Sequence, residues 1–225
     1  MELLDQSLGQ LARRISGATR LFEAHQLDFC CGGNHSLRSA AAKAGLDPAP
    51  IVDELRALES RAAAGSERDW DEATSAELVD HILARYHEVH REQLPELIRL
   101  ARKVEQVHGE RAECPRGLAD HLAAMAQELE SHMRKEEDVL FPMIKQGDGR
   151  LCGAPVTVLR MEHDEHGAAL RRLEALTDGI TPPRAACTTW RALYAGLRTF
   201  RQDLVAHIHT ENNILFERFA PAAVV

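Results

Sequence analysis

The chain is expected to be all-α: an antiparallel four-helix bundle preceded by a small helical N-terminal domain. Three observations lead there. From residue 76 onward, apolar residues recur at alternating spacings of three and four, the period of packed helices. Glycine and proline gather at a few breaks. No stretch keeps the two-residue alternation of a strand for long.

Taken in order, short helices are expected at about 7–16, 18–27, 35–44 and 49–60, within a domain spanning 1–60. Between the second and third lies Asp28-Phe29-Cys30-Cys31-Gly32-Gly33. The polar, small-residue segment 61–73 reads as a linker. Thr74-Ser75-Ala76-Glu77 has the form of a capping box, in which two side chains satisfy free N–H groups of a first turn, and it opens the domain 74–225. Four apolar seams follow. The first is Leu83, His87, His90, Leu94, Leu97, Ala101 and Val104, with Pro95 expected to kink its helix. The second is Leu118, Leu122, Met125, Leu129, His132, Glu136, Val139 and Met143. The third is Val156, Leu159, His163, His166, Leu170 and Leu173. The fourth is Leu193, Leu197, Phe200, Leu204, His207, Glu211 and Ile214.

Composition removes several function classes. The net charge of −8, with no basic block, disfavours a nucleic-acid partner, because phosphate binding needs a basic patch. At 4%, aromatic residues are too sparse for base-stacking platforms. No apolar run approaches the roughly 18–20 residues of a membrane span, so no membrane is expected. The start, MELLDQSLGQ, has neither a basic nor an apolar signal region. Five cysteines, two of them adjacent, make a poor disulfide framework. The expected compartment is the cytoplasm.

The chemistry lies where polar residues interrupt the seams. Leu129-x-x-His132-x-x-x-Glu136 recurs as Leu204-x-x-His207-x-x-x-Glu211. Leu83, His87, His90, Leu94 and Leu97 are matched by Leu159, His163, His166, Leu170 and Leu173. The bundle therefore reads as a duplicated helical hairpin, with polar residues carried into one layer. Residues four apart stack on one helix face, so His132 with Glu136 and His207 with Glu211 face a core of Leu, Met and Val. An unpaired buried carboxylate costs several kcal/mol, on the order of the penalty for any charge out of water. No lysine or arginine lies on the seams to offset it. Bound cations do so, and imidazoles add donors without charge.

A lone His-x-x-x-Glu is usually an exposed surface pair. Two copies, with a histidine on each remaining seam, point to two metal ions held by His87, His132, Glu136, His163, His207 and Glu211. His90 and His166 are rivals, expected to support the ligands from behind. His81, His121 and His209 fall off the seams and are expected to face solvent. Imidazole with carboxylate fits iron, among other metals.

Cys30 and Cys31, followed by two glycines that permit close approach of another surface, read as a redox or client-docking pair. The bland alternative is two buried, inert thiols. Cys114, Cys152 and Cys187, at helix breaks or starts, are expected to be structural.

These residues together resemble the iron–sulfur cluster repair di-iron proteins of the YtfE/ScdA type. The resemblance covers nearly the whole chain and rests on four groups of residues. They are Asp28 to Gly33; Arg85-Tyr86-His87 with His90-Arg91-Glu92-Gln93-Leu94-Pro95; Ser131-His132 with Lys135-Glu136-Glu137 and Leu140-Phe141-Pro142; and Glu162-His163-Asp164-Glu165 with His207 and Glu211-Asn212-Asn213. It implies a haemerythrin-like bundle with two non-haem iron ions on the six ligands, bridged by the two glutamates. It also implies repair, in the cytoplasm, of iron–sulfur proteins damaged by nitric oxide or peroxide, by a chain able to form a homodimer. The expected role is an iron-donating repair protein. Alternatives are a nitric oxide reductase at the same centre and an O2- or NO-binding sensor of haemerythrin type. No GxGxxG or similar nucleotide motif is present, so a reductase would need an external electron source.

Overall fold

The computed structural model describes residues 2–62, 70, 73–147 and 149–219. The segment expected to be a linker, 61–73, lies largely outside them. Among the described residues all regular structure is helical, apart from one isolated bridge between Ser7 and Ser36. By its internal contacts the chain forms two compact units, 1–78 with 208–225, and 79–207.

The first unit contains α1 (Leu8–Arg14), α2 (Ala18–Ala24), α3 (Leu37–Ala44) and α4 (Pro48–Ala62). Ser7 and Gln10 form a reciprocal capping box at the start of α1, satisfying two donors that the helix leaves open. Leu8, Leu11, Phe22, Leu37, Ile51 and Leu55 are buried. Each contributes about 1.5–3 kcal/mol by leaving water, before ordering costs. The predicted box at Thr74 also forms: Glu77 N–H donates to Thr74 Oγ1 at 3.2 Å, and Thr74 N–H donates to Glu77 Oε2 at 2.9 Å. It opens α5 (Ser75–Ile82). Near the other end of the chain, Arg218 donates to the carbonyls of Trp70 and Ala73 at 2.6 and 2.8 Å.

The second unit begins at Val79 within α5, which passes through a π-helical turn, Leu83–His87, into α6 (Glu88–His108). Then come α7 (Leu118–Lys135), a π turn at Glu136–Leu140, and α8 (Phe141–Gln146). Next are α9 (Gly153–Leu176) and α10 (Thr188–Thr210), of which residues up to His207 belong here. Short connections make successive long helices antiparallel neighbours, the four-helix bundle expected. Helices lie close where residues are small: a Cβ added at Gly196 would meet Leu97 at 2.8 Å. α6 continues unbroken through Pro95. A third π turn, Glu211–Leu215, follows α10 and lies in the first unit.

The seams hold with one correction. Val139 is half exposed and Met143 only partly covered, whereas Leu140, Phe141 and Ile144 are buried. A π turn adds one residue to a helical turn, so beyond Glu136 the buried face advances by one position. Simple periodicity misses that step.

Candidate metal centre

Within the second unit, the π turn before α6, α7 with the π turn that follows it, α9 and α10 direct polar side chains into one buried layer. His87, His132, Glu136, His163 and His207 are each at most 1% exposed. They fall into two triads that share a carboxylate: His87, Glu136 and His207, and His132, Glu136 and His163. In each triad one ligand atom per residue lies within 4.8 Å of the others. Glu136 faces both ways, with Oε2 at 3.3 Å from His87 Nε2 and Oε1 at 3.5 Å from His132 Nε2. His132 Nε2 and His163 Nε2 stand 3.1 Å apart. Two imidazole nitrogens bound about 2.1 Å from one ion, at right angles, stand about 3.0 Å apart. The donor set and its spacing therefore fit divalent cations.

Glu211 is fully buried in the first unit, four residues beyond His207 along the continuous helix. That is the spacing of His132 to Glu136, and it puts both side chains on one face.

Two histidines are oriented from behind. His87 Nδ1–H donates to Glu137 Oε1 at 2.7 Å, and His132 Nδ1–H donates to Glu162 Oε2 at 2.8 Å. An ionised carboxylate only accepts, so Nδ1 carries the proton and Nε2 keeps its lone pair for a metal. Burial pushes the Glu137 carboxyl up, but hydrogen bonds from Arg91 and His87 outweigh it and leave it below its ordinary value. Arg91 also binds Glu130 at 2.8 Å, and Lys135 pairs with the other oxygen of Glu162. Neither Glu137 nor Glu162 lies on a seam, so periodicity did not single them out. The signal available was adjacency to a candidate ligand: Glu137 follows Glu136, and Glu162 precedes His163.

His90 and His166 are buried but belong to neither triad. The His90 ring lies 5.3 Å from that of His207, and the His166 ring 4.8 Å from that of His132. Tyr86 stacks on His207 at 5.1 Å and Phe141 on His87 at 5.7 Å, so the layer is walled by aromatic rings. A cavity of about 280 Å³, lined in part by Glu128, Lys135, Glu162 and His166, opens beside the second triad.

The expectation for His209 fails: it is buried, not solvent-facing, and meets the Phe29 ring edge at 5.4 Å. Burial pushes its imidazole down to about 4, with Arg13 adding to the effect, so the ring is neutral. Its Nδ1 accepts from Asn213 Nδ2 at 2.9 Å. Helical periodicity marks His209 as off-seam, but α10 is covered on more than one face where it enters the first unit. His81 and His121 are partly covered, and His121 Nε2 donates to the Ala169 carbonyl at 2.9 Å.

The cysteine turn lies in the first unit. Cys30 is buried, Cys31 partly exposed and Asp28 exposed. Asn212 Nδ2 donates to the Cys30 carbonyl and Asn213 Nδ2 to that of Phe29, each at 3.0 Å. The hydrogen bond to Cys31, together with burial, holds the Cys30 thiol well above its ordinary value. Among the other cysteines, Cys114 and Cys152 are buried, and Cys187 lies 3.2 Å from His108 Nε2.

Among the described residues, no helix is long and apolar enough to cross a membrane. The Hemerythrin HHE cation binding domain family matches residues 78–219, and ScdA_N, a domain of unknown function, matches 4–59. The chain is 52% identical over 220 residues to the iron-sulfur cluster repair protein YtfE of Pectobacterium atrosepticum, covering 97% of this chain and 98% of that protein. It is 50% identical over 218 residues to the protein of the same name from Yersinia pseudotuberculosis, with the same coverage.

Proposed function

Because the chain belongs to the iron–sulfur cluster repair family of YtfE, with a ScdA_N domain ahead of a hemerythrin HHE cation binding domain, we propose that it repairs clusters damaged by nitric oxide or peroxide by supplying iron from a two-iron centre. The ligands in this reading are His87, His132, Glu136, His163, His207 and Glu211. The observation that carries it is Glu136, which turns one oxygen toward each of two histidines. A carboxylate so placed would be shared by two cations, whose charge would offset its burial. Glu211, one turn after His207 along the chain, would supply the second carboxylate of the ligand set. Bound there, iron supplies exchangeable metal and one-electron redox chemistry.

The chain's own residues set the terms. Glu137 and Glu162 hold two imidazoles in the tautomer that binds metal, while Tyr86 and Phe141 limit water at the layer. Six ligands shared by two ions leave open positions, which suit nitric oxide or dioxygen as a small ligand. The clients are damaged iron–sulfur proteins of the cytoplasm, and Cys30 and Cys31 serve the repair step and not metal retention in the bundle.

The test is reactivation of a nitric-oxide-treated cluster enzyme by protein loaded with isotopically labelled iron. We expect about two iron ions per chain, label recovered in the repaired cluster, and loss of both in a Glu136→Ala, Glu211→Ala variant. Equal reactivation by metal-free protein would overturn the reading.

A further inference from the structure

The turn Asp28 to Gly33 is built as a rigid frame for three donor atoms. Asp28 Oδ1 accepts from the backbone N–H of Cys31 at 3.0 Å and of Gly32 at 3.2 Å, which closes the turn. The turn is then fixed from outside by Asn212 and Asn213 on the carbonyls of Cys30 and Phe29. Gly33 lies so close to this clamp that a Cβ there would stand 2.4 Å from Asn213 Oδ1. No metal is needed to order the turn.

Held in this way, the three side chains converge. Cys30 Sγ lies 3.7 Å from Cys31 Sγ and 3.4 Å from Asp28 Oδ1. Two thiolates bound at about 2.3 Å in a tetrahedron stand about 3.8 Å apart, and a thiolate and a carboxylate oxygen at about 2.0 Å stand about 3.5 Å apart. Both separations already match within roughly 0.1 Å. We propose that Asp28, Cys30 and Cys31 form a second metal site, for a thiophilic divalent cation, separate from the histidine–glutamate layer.

Two sulfur donors and one oxygen select zinc, ferrous or cobaltous ions over magnesium and calcium, which take all-oxygen shells. On binding, the ion gains two sulfur bonds and one oxygen bond, both thiol protons pass to water, and no electron moves. Three protein donors leave a fourth tetrahedral position, and the exposure of Asp28 and Cys31 opens it to water or to a ligand from another protein. That is the form of a transfer site. Its use as a relay for iron rests on the repair reading above; the site itself rests on the geometry.

The experiment is an anaerobic cobalt(II) titration of the full chain with its histidine–glutamate layer already filled with iron. One further cobalt ion per chain is expected, with a thiolate-to-cobalt charge-transfer band in the near ultraviolet. Histidine and carboxylate cannot produce that band. It should vanish in Cys31→Ser and weaken in Asp28→Asn, while the iron content of both variants stays at the parent value. Cobalt should also slow iodoacetamide labelling of Cys31 in the unmodified protein, which needs no variant to fold, and magnesium should not. Absence of the band in the parent, its survival in a Cys30→Ser, Cys31→Ser variant, or labelling unaffected by cobalt would each overturn the site. A normal cobalt band in protein that repairs nothing would leave the site standing and defeat the repair reading alone.

Discussion

His132 and Glu162 are joined by a 2.8 Å hydrogen bond from Nδ1 to a carboxylate oxygen, and His87 and Glu137 repeat it at 2.7 Å. Each triad thus has one imidazole fixed by an acid on a neighbouring helix. The counter-ions differ: Arg91 spans Glu130 and Glu137 with a planar fork, whereas Lys135 offers Glu162 a point charge. Glu137→Ala and Glu162→Ala should each weaken metal retention by roughly 10- to 100-fold, the usual effect of removing such a support. Chelator competition on the loaded protein measures it. Retention equal to the parent would mean that the imidazoles need no orientation.

Metal should stabilise the folded bundle, since the proposed donors converge only on folding. At metal a hundredfold above the dissociation constant, the gain is about 2.7 kcal/mol. Stripping the metal should therefore lower the melting temperature by several degrees. A melt unchanged by chelation would remove the case for a buried site.

The π turn at Glu136–Leu140 sets which side chain beyond it is core. Val139→Ala should change stability by no more than about 0.5 kcal/mol, as expected of an exposed position. Leu140→Ala should cost about 2–5 kcal/mol by opening a cavity. Urea unfolding of the two variants distinguishes the registers, and the reverse order would restore the uninterrupted seam.

At Gly33 an added methyl would also meet the Phe29 carbonyl at 2.6 Å, and a backbone group cannot swing aside. Gly33→Ala should lose about 1–3 kcal/mol, the typical cost of overpacking, and expose Cys30 to alkylation. Adding Asn213→Ala should recover only part of the loss, because the carbonyl clash remains. Full recovery would place the whole constraint on the asparagine.

Much of this was legible in the sequence because burial has a period. His87, His132, His163 and His207 occupy positions otherwise filled by leucine, and repetition of the pattern marked them as one layer. What periodicity cannot register is a change of period. The extra residue in the turn at Glu136–Leu140 moved burial from Val139 and Met143 to Leu140 and Ile144. Nor can it register a helix covered on more than one side, which is why the seams leave His209 facing solvent. Glu137 and Glu162 were hidden for a different reason: each flanks a buried face, where charged residues are ordinary, and only the partner across the helix gives them a role. The capping box at Thr74 was fully readable, since its partners are three residues apart.

The paired asparagine clamp has a consequence for how the first unit opens. Asn212 and Asn213 directly follow Glu211 and hold the carbonyls of residues 29 and 30, so neighbours in space are drawn from opposite ends of the chain. Neither stretch can fray without the other losing hydrogen-bond partners. Segments tied in this way exchange their amide hydrogens as one cooperative unit. The amides around Cys31 and those around Glu211 should then share one opening free energy, and a disturbance at either end should appear in the exchange rates of the other.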